Sequence, residues 1–238
     1  MPLPKISTPT YELVIPSTGK KIRYRPFLVK EEKVLVIAME SEDLSQIVNA
    51  VKDVIKSCIL TRGVKVEELS TFDIEYLFLN IRGKSVGEEV EVLVTCPDDG
   101  VTKVPVLISL DEIQVQFDET HSKDIKLDDS LTLRMRYPSM EEFVKNNFAV
   151  SEINLDETFN VIMSSIEQIY SEEESWSAKD CTKKELRDFV EQLSSKQFKE
   201  IENFYLTMPK LSHTMTVTNP NTEVENEVVL EGLASFFG

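Results

Sequence analysis

From Leu44 onward the chain places Leu44, Ile47, Val48, Val51, Val54, Ile55, Cys58 and Ile59 three or four residues apart. That is the spacing of one buried helix face, and it makes Cys58 a small core residue. Ahead of it, Tyr11–Ile15 and Lys21–Arg25 alternate apolar and polar around Pro16-Ser17-Thr18-Gly19, which predicts a hairpin ended by Pro26. Lys30–Met39 reads as a helix, and Ser41–Asp43 as its break and the cap of the next. Ser70 with Asp73 predicts an N-cap for Phe72–Ile81. This helix is apolar on nearly every side, so it belongs at the centre of the fold or at an interface, and Gly83 is expected to stop it. Val90, Val92 and Val94 alternate up to a Pro97-Asp98-Asp99-Gly100 turn, and Val104, Val106 and Ile108 alternate back.

The same order then recurs. Ile125-Lys126-Leu127 and Leu133-Arg134-Met135-Arg136-Tyr137-Pro138 repeat the opening strands and lead into a helical run. Phe159, Ile162, Met163, Ile166, Ile169 and Tyr170 predict one long helix face, and Ser171–Ser175 a helix end or loop. Thr182 with Glu185 forms a capping box for a helix carrying Leu186, Phe189, Val190 and Leu193. The first half has no counterpart, so Thr182–Leu193 reads as an inserted helix. Phe198, Ile201, Phe204 and Tyr205 mark another helix, ended by Pro209. Val217-Thr218-Asn219-Pro220-Asn221-Thr222 then answers Val94-Thr95-Cys96-Pro97-Asp98-Asp99. The expected fold is α+β, an internally duplicated unit of hairpin, helices and closing zinc-ribbon-like β-hairpin. Residues 1–110 form the first unit, 111–123 a charged linker holding His121, and 124–238 the second unit with its inserted helix. Ile22–Arg25 is expected to match Leu133–Arg136, and Thr95–Pro97 to match Thr218–Pro220.

With 238 residues, 41% of them hydrophobic, the chain can bury a sizeable core. A net charge of −16 opposes a phosphate backbone and an anionic bilayer alike. Neither nucleic-acid binding nor membrane insertion is expected, and Val34–Met39, the most apolar short stretch, is far too short to span. Three dispersed cysteines, Cys58, Cys96 and Cys181, point to a reducing compartment. Met1-Pro2-Leu3-Pro4-Lys5 has no signal-like apolar region, so a soluble, intracellular product is expected.

Few residues offer chemistry. The two histidines, His121 and His213, lie among ordinary polar neighbours, and no catalytic set is expected. Gly83-Lys84-Ser85 resembles the end of a phosphate-binding loop, but Phe78 stands where that loop needs glycine, so no cofactor is expected. Cys96-Pro97-Asp98-Asp99-Gly100 has the form of a zinc knuckle with Asp99 in place of the second thiolate. The second-half turn offers only Asn219 and Thr222 there, so no metal is expected. Lys21, Arg23 and Arg25 share one strand face, mirrored by Arg134 and Arg136. They form either a solvated face paired with the chain's own carboxylates or a docking patch for an acidic partner. The apolar ending, Leu230, Leu233, Phe236 and Phe237, either packs on the chain's own core or inserts into a neighbouring subunit. Lys21, Arg23, Arg25, Leu233, Phe236 and Phe237 are therefore the candidate partner contacts.

Leu13–Lys21, Arg25–Glu32, Phe72–Phe78, Ile81–Glu88, Cys96-Pro97, Lys210–His213 and Leu230–Leu233, taken in order, resemble baseplate hub proteins of T-even-like contractile-tailed bacteriophages. The resemblance covers most of the chain. It implies a small structural subunit of the tail baseplate hub, acting through contacts with other hub or tail proteins or further copies of itself. It also implies synthesis in the host cytoplasm, with a place in the virion tail if the chain is retained. A tail-assembly chaperone absent from the particle is the alternative. A hub-borne peptidoglycan hydrolase is the remote one, and it needs a carboxylate pair that the sequence does not mark.

Overall fold

The computed structural model describes residues 6–142, 155–232 and 234–237. It is an α+β protein of small antiparallel sheets and helices, and the described chain divides into two compact units. One takes everything up to Gln116 together with the chain from Lys210 on, and the other is Phe117–Pro209.

The first unit opens with a hairpin, β1 (Tyr11–Val14) and β2 (Lys21–Tyr24), which pairs Leu13 with Ile22 and buries Ile22 and Tyr24. Next come α1 (Val29–Glu40) and α2 (Leu44–Cys58). Asp43 caps α2 by accepting from the Ser45 and Gln46 N–H groups at 2.9 and 3.3 Å, and Val48, Val51, Val54, Ile55 and Cys58 form its buried face. A 3-10 turn at Val66–Glu68 precedes α3 (Thr71–Val86), the central helix the sequence predicts. Phe72, Ile74, Leu77, Phe78, Leu79 and Ile81 are all buried. A seven-residue hairpin, β3 (Glu89–Thr95) and β4 (Lys103–Ser109), follows.

Asp73, fully buried in the first turn of α3, accepts from the Ser70 N–H at 3.3 Å, the Ser70 hydroxyl at 2.5 Å and the Ser17 N–H at 2.9 Å. One carboxylate thus caps a helix and pins the β1–β2 turn to it. Asp73→Ala leaves these donors without a partner and is expected to cost about 1–3 kcal/mol, measurable as a lowered melting temperature.

Gly83 does not stop α3, contrary to the expectation from sequence. The helix runs on to Val86 and ends at Gly87. A Cβ on Gly83 would stand 3.1 Å from Leu110 Cδ1, so the glycine lets the 3-10 turn at Leu110–Glu112 approach closely. Residues 111–123 are likewise not all connection, because β5 (Gln114–Gln116) lies within them.

In the second unit β6 (Asp124–Lys126) and β7 (Thr132–Met135) form the opening hairpin. Helical backbone begins at Met140, and the rest of the predicted run, residues 143–154, lies outside the described residues. Helix α4 (Leu155–Ser165) stops well short of Tyr170. Ile166–Tyr170, expected to extend it, is instead strand β8, paired on one side with β7 and on the other with β9 (Ser175–Ser177). Ile166 and Ile169 are buried in both readings; β7 offers Ile166 a ladder as well as an apolar face, which suits a β-branched side chain. Helices α5 (Lys183–Glu191) and α6 (Ser195–Thr207) follow, each opened by the reciprocal bonds of a capping box. Leu133, Met135, Ile162, Leu186, Val190, Ile201 and Phe204 form this unit's core.

The chain then returns to the first unit as β10 (Lys210–Thr218), β11 (Glu225–Glu231) and the short α7 (Ala234–Phe237). β10 lies between β11 and β5, with Lys210 opposite Gln116. Leu211, Val217 and Phe236 close a core with Leu79, Val90, Val92, Val94 and Ile113.

Candidate functional site

Lys21 and Arg23 point to solvent from β2, as their alternation with Ile22 and Tyr24 requires. Lys21 is bridged to Glu12 at 2.5 Å, while Arg23, opposite Glu12 in the ladder, reaches the Thr10 hydroxyl at 3.4 Å.

Arg25 is not part of that exposed face. Its side chain is 15% exposed, and the guanidinium donates to Glu31 Oε1 at 2.9 Å, to the Ser57 carbonyl at 3.1 Å and to the Pro26 carbonyl at 2.9 Å. Glu31 Oε2 accepts the Leu28 N–H at 2.8 Å, and the Arg25 N–H reaches the Cys58 carbonyl at 3.0 Å. One ion pair thus joins the end of the hairpin, the last turn of α2 and the first turn of α1. Burial alone would raise the Glu31 carboxyl, but hydrogen bonds from Arg25, the Leu28 N–H and Lys30 outweigh it and hold it at about 2.

The second unit contains the same arrangement. Arg136 donates to Glu142 at 2.6 and 3.0 Å and to the Tyr137 carbonyl at 3.3 Å, and Glu142 Oε2 accepts the Ser139 N–H at 2.8 Å. The Arg136 N–H reaches the last carbonyl of α4, that of Ser165, at 2.8 Å. Each arginine lies six residues before its glutamate. This pairing was not read from the sequence. Comparing Arg25…Glu31 with Arg136…Glu142 across the two halves is the signal that finds it.

Phe236, read as a partner anchor, is fully buried in the first unit's core. A phenyl ring with an apolar bed in its own chain goes there, which is the own-core alternative for the apolar ending. Leu233 and the side chain of Phe237 lie outside the described residues. His121 also differs from expectation. It stacks on Tyr137 and lies tilted against Phe204, at 5.6 and 5.1 Å between ring centroids, and Nδ1 lies 2.9 Å from the Thr207 hydroxyl. Burial and then Lys123 push its pKa down, which favours the neutral ring. His213 sits in β10 with Nδ1 3.4 Å from the Glu112 carbonyl. Burial pushes the Cys58 thiol up to about 11, and burial with Asp98 and Asp99 raises Cys96. Among the described residues, no three His, Cys, Asp or Glu side chains gather as a metal-holding group. Among them too, no helix is long and apolar enough to cross a membrane.

Sequence reading also missed an exposed apolar surface. On α1, Val29, Val36, Ile37 and Met39 are exposed, Val29 by 79%. On the outer face of the β3–β4 hairpin, Leu93 and Leu107 are 69% and 63% exposed. Exposed apolar residues gathered on one element mark contact surfaces more often than isolated ones do.

Comparison with curated proteins and with solved structures finds no match. A family model described as T4 bacteriophage base plate protein does match, over residues 8–238. The chain therefore belongs to the T4 bacteriophage base plate protein family.

Proposed function

We propose that the chain is a structural subunit of the central hub of the baseplate, non-enzymatic, needed for hub and tail assembly through protein–protein contacts. The family match over nearly the whole chain carries the baseplate part. The hub placement is supported by the ordered segments Leu13–Lys21, Arg25–Glu32, Phe72–Phe78 and Ile81–Glu88. The exposed faces of α1 and of the β3–β4 hairpin, with Lys21 and Arg23, are the surfaces we assign to other hub or tail proteins. In the same reading the chain is an internal duplication closing in zinc-ribbon-like hairpins. The Arg25–Glu31 and Arg136–Glu142 pairs, each tied to a hairpin and to the end of a helix that follows it, support that reading.

Mass spectrometry of purified virions tests the hub assignment, and the chain is expected in stoichiometric amount. Its absence from particles that need it for assembly would identify an assembly chaperone instead. Ile37→Asp with Met39→Asp on α1 is expected to leave a folded protein while lowering incorporation into tails at least tenfold. Normal incorporation would place the interface elsewhere.

A further inference from the structure

We propose that the Cys96 and Asn219 turns are the two halves of one zinc-ribbon site in which a side-chain hydrogen-bond lattice occupies the place of the metal ion. The inference rests on the zinc-ribbon-like reading of the closing hairpins and is independent of the hub assignment.

The backbone comes first. Cys96-Pro97-Asp98-Asp99-Gly100 and Asn219-Pro220-Asn221-Thr222-Glu223 both carry proline second. In each the fifth N–H returns to the first carbonyl, Gly100 to Cys96 and Glu223 to Asn219, at 2.9 Å in both. The fifth residue is left-handed in both, Gly100 at φ +67° and Glu223 at φ +60°. Glycine adopts that conformation freely, whereas glutamate is strained in it. The second turn thus keeps a knuckle's backbone without the residue that favours it. Cys96 and Asn219, the first knuckle positions, are both fully buried.

A zinc ribbon joins two such turns through one ion held by the first and fourth residues of each. Here those positions are Cys96, Asp99, Asn219 and Thr222, and the turns meet through their side chains. Asn219 Nδ2 donates to Asp99 Oδ2 at 3.0 Å and to the Asp98 oxygens at 2.9 and 3.1 Å, while its Oδ1 accepts the Asn221 N–H at 2.9 Å. The Thr222 hydroxyl donates to Asp98, and the Asn221 amide donates to the Thr102 hydroxyl at 2.9 Å. The Asp98 N–H in turn donates to Asn226 Oδ1 at 3.0 Å. Amide and hydroxyl donors thus converge on two adjacent carboxylates and supply the positive potential that an ion would. Such a lattice joins the hairpins without metal and is indifferent to chelators and oxidants.

Restoring the thiolates tests this. Asp99→Cys with Asn219→Cys and Thr222→Cys, made in the full chain, is expected to bind one zinc per molecule, the four thiols losing their protons to it. Cobalt substituted for the zinc is expected to give a tetrahedral tetrathiolate spectrum, and chelation to lower the melting temperature. The unaltered chain is expected to take up none. A folded triple variant that binds no metal, or binds it through fewer than four thiolates, overturns the proposal. So does stoichiometric zinc in the unaltered chain.

A mutant cycle on the native residues does not depend on that variant folding. Asp98→Ala and Asn219→Ala are each expected to lower the melting temperature by about 3–8 °C. Together they should cost little more than the larger single change, because each removes the other's partner. Additive losses would sink the lattice.

Discussion

Replacing Phe236 with alanine is expected to cost about 3–5 kcal/mol, the range for removing an aromatic side chain from a packed core. Phe236 is fully buried in α7, among the strand residues of the first unit's core. At about 2–4 °C per kcal/mol, the loss should appear in a thermal melt as a fall of roughly 10 °C. Phe236→Leu, which refills most of the space, should recover much of it. Deleting Ser235–Gly238 should resemble the alanine variant. If Phe236→Ala melts with the unaltered chain yet fails to enter tails, the ring is a partner anchor after all.

Arg25→Met is expected to be nearly as damaging, at about 3 kcal/mol, because it leaves the Glu31 carboxylate, only 8% exposed, with the Leu28 N–H and the exposed Lys30 but without its buried cationic partner. Arg136→Met, in the matching place of the second unit, should cost about 1 kcal/mol or less. There the arginine and Glu142 side chains are 40% and 27% exposed, and water can take up the released charge. The same pair predicts a pH dependence. Glu31 titrates at about 2 in the folded chain against an ordinary value of 4.5, so its contribution is fully present above 4.5 and is lost as pH falls toward 2. Melting temperatures measured across that window should fall less steeply for Glu31→Gln than for the unaltered chain. Equal slopes would mean that the pair does not govern acid stability.

Where local spacing decided the structure, the sequence was enough. The apolar stripe of α2, the Ser70–Asp73 cap and the alternation of β3 and β4 each carry their own periodicity, and all three appear as expected. Errors arose where a distant partner decides. Ile166 and Ile169, three apart, fit a helix face until β7 is there to pair with them. Gly83 has the composition of a stop, and only the approach of Leu110 shows why a helix keeps it. The Arg25–Glu31 pair follows neither the helix nor the strand period, so a scan for periodicity passes over it. Of the candidate contact residues, Lys21 and Arg23 were placed correctly on a solvent face by strand alternation alone. Phe236 was ambiguous, because an apolar ending looks the same whether it is destined for its own core or another's.

Gln116 and Lys210 stand opposite each other in the β5–β10 ladder, at the points where the chain leaves the first unit and comes back. During synthesis, β5 therefore emerges long before the strand that completes its sheet. The whole of Phe117–Pro209 has to leave the ribosome in between. The second unit has its own core and can close first, while Val90, Val92 and Val94 wait for Leu211 and Val217 to cover them. A transcript cut short after Pro209 would yield a nascent chain with a finished second unit and an open, sticky first one. Whether the first unit closes is decided by the stretch from Lys210 on, which comes off the ribosome only after the whole second unit.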